Sequence, residues 1–380
     1  MGTFYKAAML RILHTADWQI GRQYSRFELE DAAALAEARF KAIAKLAALA
    51  TEHGADLIVV AGDVFDSQTL SDRNLRRSFN EMAGFAGPWL LLPGNHDAAL
   101  SESVWTRARR LNCIPSNAHV LDTPALFLLD ALKVAVLPAP LTQRQTYQDL
   151  SDWFDQADSP AGYWRLGLAH GSVSGVLEHL DSHNLIDQNR VQRARLDYLA
   201  LGDWHGTVKI NERCYYSGTP EPDRFRDNES GQALLVEISA VGAAPVVQAL
   251  PVAQHPWRSI QRHLNDDTDL DLLERELTAL AEQSVVELEL SGQLSLSGFE
   301  RLDSLLGQAQ ARCRAWDCQR DALRLAPSEQ DLNALQADGY LQAALKQLQE
   351  LRHGSQQQAA EDALLILAGL LRDKEGGHAH

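Results

Sequence analysis

Leu57-Ile58-Val59-Val60-Ala61-Gly62-Asp63-Val64-Phe65-Asp66 decides the fold class. A short apolar run, bounded by glycine, reads as a strand. Its carboxyl end opens into a turn that carries two carboxylates. The same grammar recurs along the first half of the chain. His14-Thr15-Ala16-Asp17-Trp18-Gln19 closes an apolar run at 10–15, and Pro93-Gly94-Asn95-His96-Asp97 follows one at 89–92. Ala169-His170-Gly171 ends a run at 165–169, and Leu201-Gly202-Asp203-Trp204-His205 ends one at 198–201. Further strands are expected at 125–129, 134–137, 214–217, 233–238 and 246–250. Helical stretches intervene. In the longest, at 28–52, Leu29, Ala33, Ala36, Phe40, Ile43, Ala47 and Ala50 fall alternately four and three apart in one apolar stripe, and His53-Gly54 ends it. Strands alternating with helices define an α/β domain.

A carboxylate at one strand end is unremarkable. Five strand ends carrying Asp, Asn, Gln or His are another matter, because open α/β sheets bind ligands beyond the carboxyl ends of their strands. Hard oxygen and nitrogen donors gathered there suggest a shared metal cluster. Two divalent ions about 3.5–4 Å apart can hold a bridging hydroxide and the oxygens of a phosphate. Such a site needs one carboxylate to bridge the ions and separate terminal ligands for each. Oxygen donors suit Mn²⁺ or Mg²⁺ and imidazole favours transition metals, so the mixed set suits Mn²⁺ best.

These motifs, in this order, resemble those of the calcineurin-like binuclear metallophosphoesterases, whose pattern is DxH, GDxxD, GNHD or GNHE, a lone His, then GHxH. Leu13-His14-Thr15-Ala16-Asp17-Trp18-Gln19-Ile20-Gly21 is most similar to the SbcD-type DNA-repair nucleases of that superfamily, and Tyr216-Ser217-Gly218-Thr219-Pro220-Glu221-Pro222 is similar to a segment of the same nucleases. The resemblance covers about residues 9 to 250. It implies a four-layer αββα sandwich. It also implies that Asp63 bridges the metals, that Asp17, Gln19 and His205 complete the first site, and that Asn95, His170 and Asp203 complete the second. His96 would stand beside the scissile phosphate as general acid, while a hydroxide activated by the two metals attacks. Asp66 would orient His96 and favour its protonated form. Asp97 is weighed equally as a catalytic group and as a local turn cap. Two departures stand out: Gln19 occupies the His of DxH, and Asp203 the first His of GHxH. Both keep the ligand count while moving the set toward oxygen, which reads as a distinct clade with a live site.

The bland readings fall elsewhere. His14 lies inside an apolar strand and is taken as a core histidine; His179 and His183 are taken as surface groups. Trp18 and Trp204 adjoin ligand positions, where packing beneath the site is at least as good a reading as base stacking. Arg22, Arg26, Arg224 and Arg226 flank the motifs as candidate backbone-phosphate contacts.

At 380 residues, with 45% hydrophobic and 23% charged, the chain is expected to hold a catalytic domain at 9–253, a smaller α+β domain at 254–352 and a helical tail at 353–380. In that second part a strand at 285–290 and helices at 270–281, 297–313, 339–352 and 358–372 are expected. In the resembling nucleases a small C-terminal domain helps seat DNA and a terminal helix docks on an SMC-like ATPase. The apolar Ala363-Leu364-Leu365-Ile366-Leu367 could serve that role or a homodimer, or pack on its own domain. The polar leader 1–8 is expected to be dispensable, no apolar run suits a membrane span, and four scattered cysteines fit a reducing cytoplasm. The net charge of −16 argues against coating duplex DNA and favours single-stranded or frayed DNA as substrate. The expected activity is therefore a metal-dependent DNA nuclease in repair. The competing readings are a phosphodiesterase or phosphatase for small molecules such as cyclic nucleotides, and a non-catalytic scaffold.

Overall fold

The computed structural model describes residues 9–176, 183–226, 228–326 and 340–351, together with Ala359, Ala360, Ala363 and Ile366. The leader, His179 and nearly all of the 353–380 tail, with the helix expected at 358–372, lie outside the described residues. The chain divides into two compact units, 1–255 and 256–380.

In the first unit the strands are β1 (Leu10–Thr15), β2 (Leu57–Val60), β3 (Trp89–Leu91), β4 (Ala118–Val120), β5 (Phe127–Leu129), β6 (Val134–Ala139), β7 (Trp164–His170), β8 (Ser172–Val173), β9 (Leu185–Ile186), β10 (Tyr198–Gly202), β11 (Val208–Asn211), β12 (Cys214–Tyr216), β13 (Gln232–Ile238) and β14 (Val246–Pro251). The helices are α1 (Leu29–Glu52), α2 (Asp72–Asn80), α3 (Val104–Arg110) and α4 (Arg190–Arg193). Two six-stranded sheets form, ordered β14-β13-β1-β2-β3-β4 and β11-β12-β10-β7-β6-β5. β1, β2 and β3 run parallel in the first sheet, and β6, β7 and β10 in the second. Their carboxyl ends therefore open on one edge of each sheet.

Side chains alternate across a strand, and here both sets are apolar. Ile12, Leu57, Val59 and Leu90 meet Val134, Val136, Leu166, Leu168 and Ala200 of the other sheet in a buried layer. Leu13, Ile58, Val60 and Leu91 turn the other way, onto Phe40, Ile43, Leu75 and Trp105 of α1, α2 and α3. Leu137, Leu199 and Leu201 pack outward with Phe154 and Val191. The layers are helix, sheet, sheet, helix, the αββα sandwich expected.

α1 departs in detail from its expected stripe. Leu29 is 87% exposed, and the buried face begins at Leu35 and includes Arg39. The first turns carry apolar residues without covering the sheet.

The second unit alternates β15 (Trp257–Leu264), α5 (Leu270–Thr278), β16 (Val285–Leu294), α6 (Leu296–Gln310) and β17 (Ala315–Leu325), and α7 follows at Tyr340–Leu351. β15, β16 and β17 form one parallel sheet. Leu270, Leu273 and Leu277 of α5 and Phe299, Leu302 and Leu306 of α6 pack on Leu288, Leu290 and Leu294 of β16. β15 and β17 escaped the sequence reading because most of their residues are at least partly exposed, so neither shows an apolar run.

Candidate metal centre and active site

Each motif turn is folded by local backbone geometry. Asp17 (φ 53°), Gln19 (φ 50°), Asp63 (φ 53°) and Asp203 (φ 98°) all adopt the left-handed region, which side-chain-bearing residues seldom occupy. Strain gathered at four adjacent polar positions persists only when surrounding structure over-determines it, and such clusters belong to functional sites. The β1 and β2 turns hold each other: Asp17 and Gln19 donate their amides to the carbonyls of Gly62 and Asp63. The glycines of two motifs are explained by close approach. A Cβ on Gly62 would overlap the His170 ring, and one on Gly94 would overlap Asp63.

Around Asp63 the polar side chains interlock. Gln19 Nε2 donates to Asp63 Oδ2 at 2.8 Å, and the His96 amide donates to Oδ1 at 2.9 Å. The Asn95 side-chain amide lies 2.9 Å from His170 Nε2, and turned about it donates to both Asp63 oxygens at 3.0 and 3.2 Å. His170 Nε2 stands 3.5 Å from Asp63 Oδ1 and 3.8 Å from Asp203 Oδ1. The Asp203 amide reaches both oxygens of Asp17 at 3.2 Å. Ligand atoms of Asp17, Asp63 and His170 fall within 4.8 Å of one another. Six of the expected ligands are thus directly linked. His205 joins through the field it exerts on Asp17.

Buried carboxylates are costly unless paired or metal-bound. Burial pushes the Asp17 carboxyl up to about 6, despite the opposing charges of His205 and His170. Burial opposes protonation of His170, yet the summed charge of Asp63, Asp17 and Asp203 prevails and pushes it up to about 9. Protons, in other words, compensate a cluster that cations would serve better. The orphaned atom points the same way: Gln19 Oε1 is buried without a hydrogen-bond partner, although buried oxygens are almost always satisfied. Three carboxylates, two imidazoles, an amide oxygen from Asn95 and this unmatched oxygen suit a pair of hard or borderline divalent cations.

The imidazoles are set by their second nitrogens, as metal-binding histidines usually are. His170 Nδ1 lies 2.8 Å from the Ala61 carbonyl, which can only accept, so Nε2 is left to face the cluster. His205 Nδ1 lies 2.9 Å from Asp223 Oδ2. Asp223 was not singled out from the sequence, although it directly follows Pro222 of the quoted segment. Burial would raise its carboxyl; bonds from His205 and Arg224 and the Arg39 charge override this and hold it far below the usual range. Arg39 was also missed. Fully buried on α1, it donates to the Trp18 carbonyl at 2.7 Å and the Tyr24 hydroxyl at 2.6 Å, bracing the turn between Asp17 and Gln19. The legible signal was an arginine next to Phe40 within an otherwise apolar helix face.

Two expected roles change. His96 Nδ1 lies 2.9 Å from the main-chain carbonyl of Asp66, not from its carboxylate. That carboxylate faces Arg22 Nη1 at 3.6 Å, so Asp66 orients His96 through its backbone. Asp97 is fully buried, and its two oxygens accept from the amides of Gly94 at 2.7 Å and Phe65 at 3.1 Å. It ties the β2 turn to the β3 turn, which is the geometry of a local cap.

The remaining residues sort readily. His14 is a core histidine, bonded to the Tyr198 hydroxyl at 3.0 Å and the Leu201 carbonyl at 3.2 Å, and burial lowers its pKa to about 3. Trp18 is buried under the site, edge-on to Trp89. Trp204 is half-buried against the outer core. Arg22 bridges Asp66 and Asp223, Arg224 pairs with Asp223, Arg26 lies over the rings of Phe27 and Phe225, and Arg226 is exposed. No helix among the described residues is long and apolar enough to cross a membrane.

Comparison with known proteins agrees with this geometry. The family model described as calcineurin-like phosphoesterase matches residues 10–235. The chain is 25% identical over 277 residues to the DNA double-strand break repair protein Mre11 of Aeropyrum pernix, covering 68% of this chain and 64% of that relative. It is 39% identical over 95 residues to the SbcD component of the nuclease SbcCD from Rhodobacter capsulatus, covering 24% of this chain and 22% of that relative. The chain thus spans less than two thirds of either. Among solved structures, TT1561 of Thermus thermophilus aligns with a TM-score of 0.39 at 12% identity over 63% of this chain and 99% of its own, and the yellow lupin purple acid phosphatase PPD1 with 0.40 at 11% identity over 65% and 52%. With a family match over residues 10–235, more than half of the chain, and a donor cluster where its motifs converge, the chain belongs to the calcineurin-like phosphoesterase family and is a metal-dependent phosphoesterase.

Proposed function

We propose that the chain is a DNA nuclease that hydrolyses phosphodiester bonds of single-stranded or frayed DNA in repair. The observation that carries the chemistry is the oxygen-rich donor cluster with His96 beside it. The DNA assignment draws its support from the similarity to relatives named as a break-repair protein and a nuclease component. Asp63 would bridge two cations, Asp17, Gln19 and His205 would complete one site, and Asn95, His170 and Asp203 the other. With most donors oxygen, Mn²⁺ is the favoured ion and Mg²⁺ the next. Cations held there would supply Lewis-acid charge for the phosphate and lower the pKa of a bound water.

The chain's own groups do the rest. Asp223 and the Ala61 carbonyl orient the two ligand imidazoles. His96 donates its Nδ1–H to the Asp66 carbonyl, so its cationic form presents a proton at Nε2, which lies 4.0 Å from Asp63 Oδ2 on a partly exposed side chain. In this reading that proton would go to the departing oxygen of the cleaved strand, as general acid catalysis requires. Arg22, held between Asp66 and Asp223, would supply a further positive charge for the phosphate.

The test uses circular single-stranded DNA and bis-p-nitrophenyl phosphate, each with Mn²⁺, Mg²⁺ or Ca²⁺. Linearisation by wild type with Mn²⁺, lost in Asp63→Ala and His96→Ala, is the expected result. Hydrolysis of the small diester with circular and linear DNA both untouched would overturn the nuclease reading in favour of a small-molecule diesterase.

A further inference from the structure

The loop that follows β6 is bonded to two of the turns that carry this centre. At its start, Leu141 donates its amide to the Pro93 carbonyl at 3.2 Å and accepts from the Ala99 amide at 2.8 Å, so it is stitched to the turn bearing Asn95 and His96. Toward its end, Thr146 exchanges bonds with Asn184: the Thr146 amide donates to Asn184 Oδ1 at 2.9 Å, and the Asn184 amide donates to the Thr146 carbonyl at 2.7 Å. Asn184 in turn accepts from the Ser172 amide, two residues beyond the ligand His170. β6 and β7 are parallel neighbours, so their following turns leave the same sheet edge.

On this anchored loop stands Tyr147. Its side chain is exposed, 79% by area, although aromatic rings usually bury most of their surface. It is not loose. His183 Nε2 lies 3.0 Å from its hydroxyl, and the two rings are 4.7 Å apart, tilted by 47°. Arg144, also exposed, lies on the same loop, where its main-chain carbonyl accepts from the Asn184 side chain at 3.2 Å. Solitary exposed apolar residues need no explanation. An exposed ring, braced by a second ring and accompanied on its loop by a guanidinium, with that loop bonded to two ligand-bearing turns, is the combination that single-strand binding uses: an aromatic face for a base and a cation for the backbone.

We propose that Tyr147, braced by His183, is the stacking platform for an unpaired base next to the scissile phosphate, with Arg144 contacting the backbone. This rests on the nuclease reading and specifies how that site would prefer single-stranded substrate. The ring stacks without reading sequence, since every base offers a π face.

The experiment compares Tyr147→Ala, Tyr147→Phe and Tyr147→Trp in the full chain. Binding of a single-stranded oligonucleotide containing 2-aminopurine is followed by fluorescence with Mn²⁺ present, in a His96→Ala background that leaves the strand uncut. Turnover of the unlabelled strand is measured in the wild-type background beside bis-p-nitrophenyl phosphate, which has no base to stack. Tyr147→Ala is expected to weaken oligonucleotide binding about 5- to 150-fold, the range of one aromatic–base stack, and to abolish the quenching. The ratio of kcat/KM for oligonucleotide over diester should fall in parallel, while Phe and Trp retain both. Unchanged binding and quenching in Tyr147→Ala, with the parent binding DNA, would overturn the platform alone. An equal fall for both substrates would also overturn it, by placing the effect at the metal centre. A parent that binds no DNA at all would overturn the nuclease reading and the platform with it.

Discussion

Replacing Asp223 by Asn should weaken one metal site and spare the other. The side chain is 1% exposed and faces donors on three sides: His205 Nδ1 at 2.9 Å, Arg224 Nε at 3.0 Å and Arg22 Nη2 at 3.3 Å. An asparagine keeps one acceptor but turns an NH₂ toward these donors and removes the charge that they share. A hydrogen bond to a charged group is worth about 1.5–3 kcal/mol, which corresponds to about 10- to 150-fold in an equilibrium constant. That agrees with the roughly 10- to 100-fold cost seen when the carboxylate behind a metal-bound histidine is removed. Titration calorimetry of the metal-free protein with Mn²⁺ reads the effect directly. If His205 serves with Asp17 and Gln19, only one of two binding steps should move, because Asn95, His170 and Asp203 have no bond to Asp223. Circular dichroism separates this from misfolding, since a merely structural loss would lower the melting temperature and shift both steps together. Two unchanged steps, or two equally shifted ones, would refute the argument that Asp223 acts through His205.

Three further changes have expected outcomes. Gln19→His should raise affinity for Zn²⁺ relative to Mn²⁺, because it replaces the unpartnered amide oxygen with an imidazole; competition titration with the two metals measures it. Asp97→Ala should lower stability by about 2–6 kcal/mol, since it orphans two buried amides at about 1–3 kcal/mol each; urea unfolding reads this, and a loss under about 1 kcal/mol would contradict the cap reading. His14 is held neutral by burial, with its pKa lowered from 6.5 to about 3. A lowered folded-state value contributes stability that is present above pH 6.5 and lost as pH falls toward 3. The melting temperature of His14→Gln should therefore fall less steeply than wild type across that window, and parallel curves would contradict the assignment.

What the sequence disclosed, and what it hid, follows from how each residue makes its contacts. The ligand turns were legible because parallel strands leave one edge and each apolar run pointed its successor residues there. β1, β2, β3, β7 and β10 all carried that mark. Tertiary support carried none. Arg39 reaches the Trp18 carbonyl from 21 positions away, and Asp223 reaches His205 from 18, distances at which no local pattern links donor to acceptor. Asp66 shows a different limit. Its spacing from Asp63 correctly placed it near His96, but spacing cannot tell a carboxylate from the carbonyl of the same residue, and here the carbonyl does the orienting. β15 and β17 were hidden because most of their side chains are at least partly exposed, leaving no apolar run to read.

The two departures from the family motif gain meaning from that comparison. Had Gln19 and Asp203 marked a decaying site, the groups that support them would be under no constraint to stay, and the turns could have relaxed. Instead both residues keep left-handed backbones, Gln19 bonds the proposed bridging carboxylate, and Asp203 bonds Asp17 through its amide and Ser172 through its side chain. Arg39, behind the Trp18 carbonyl, and Asp223, behind His205, are themselves buried charges that a dead site would gain stability by losing. Strained turns and buried charges retained around a substituted donor set favour the proposal of a working centre over a decayed one. Gln19→His is thus the substitution that bears most directly on this argument: a shift toward Zn²⁺ with the site intact supports it, and failure of wild type to bind any divalent ion would remove its basis.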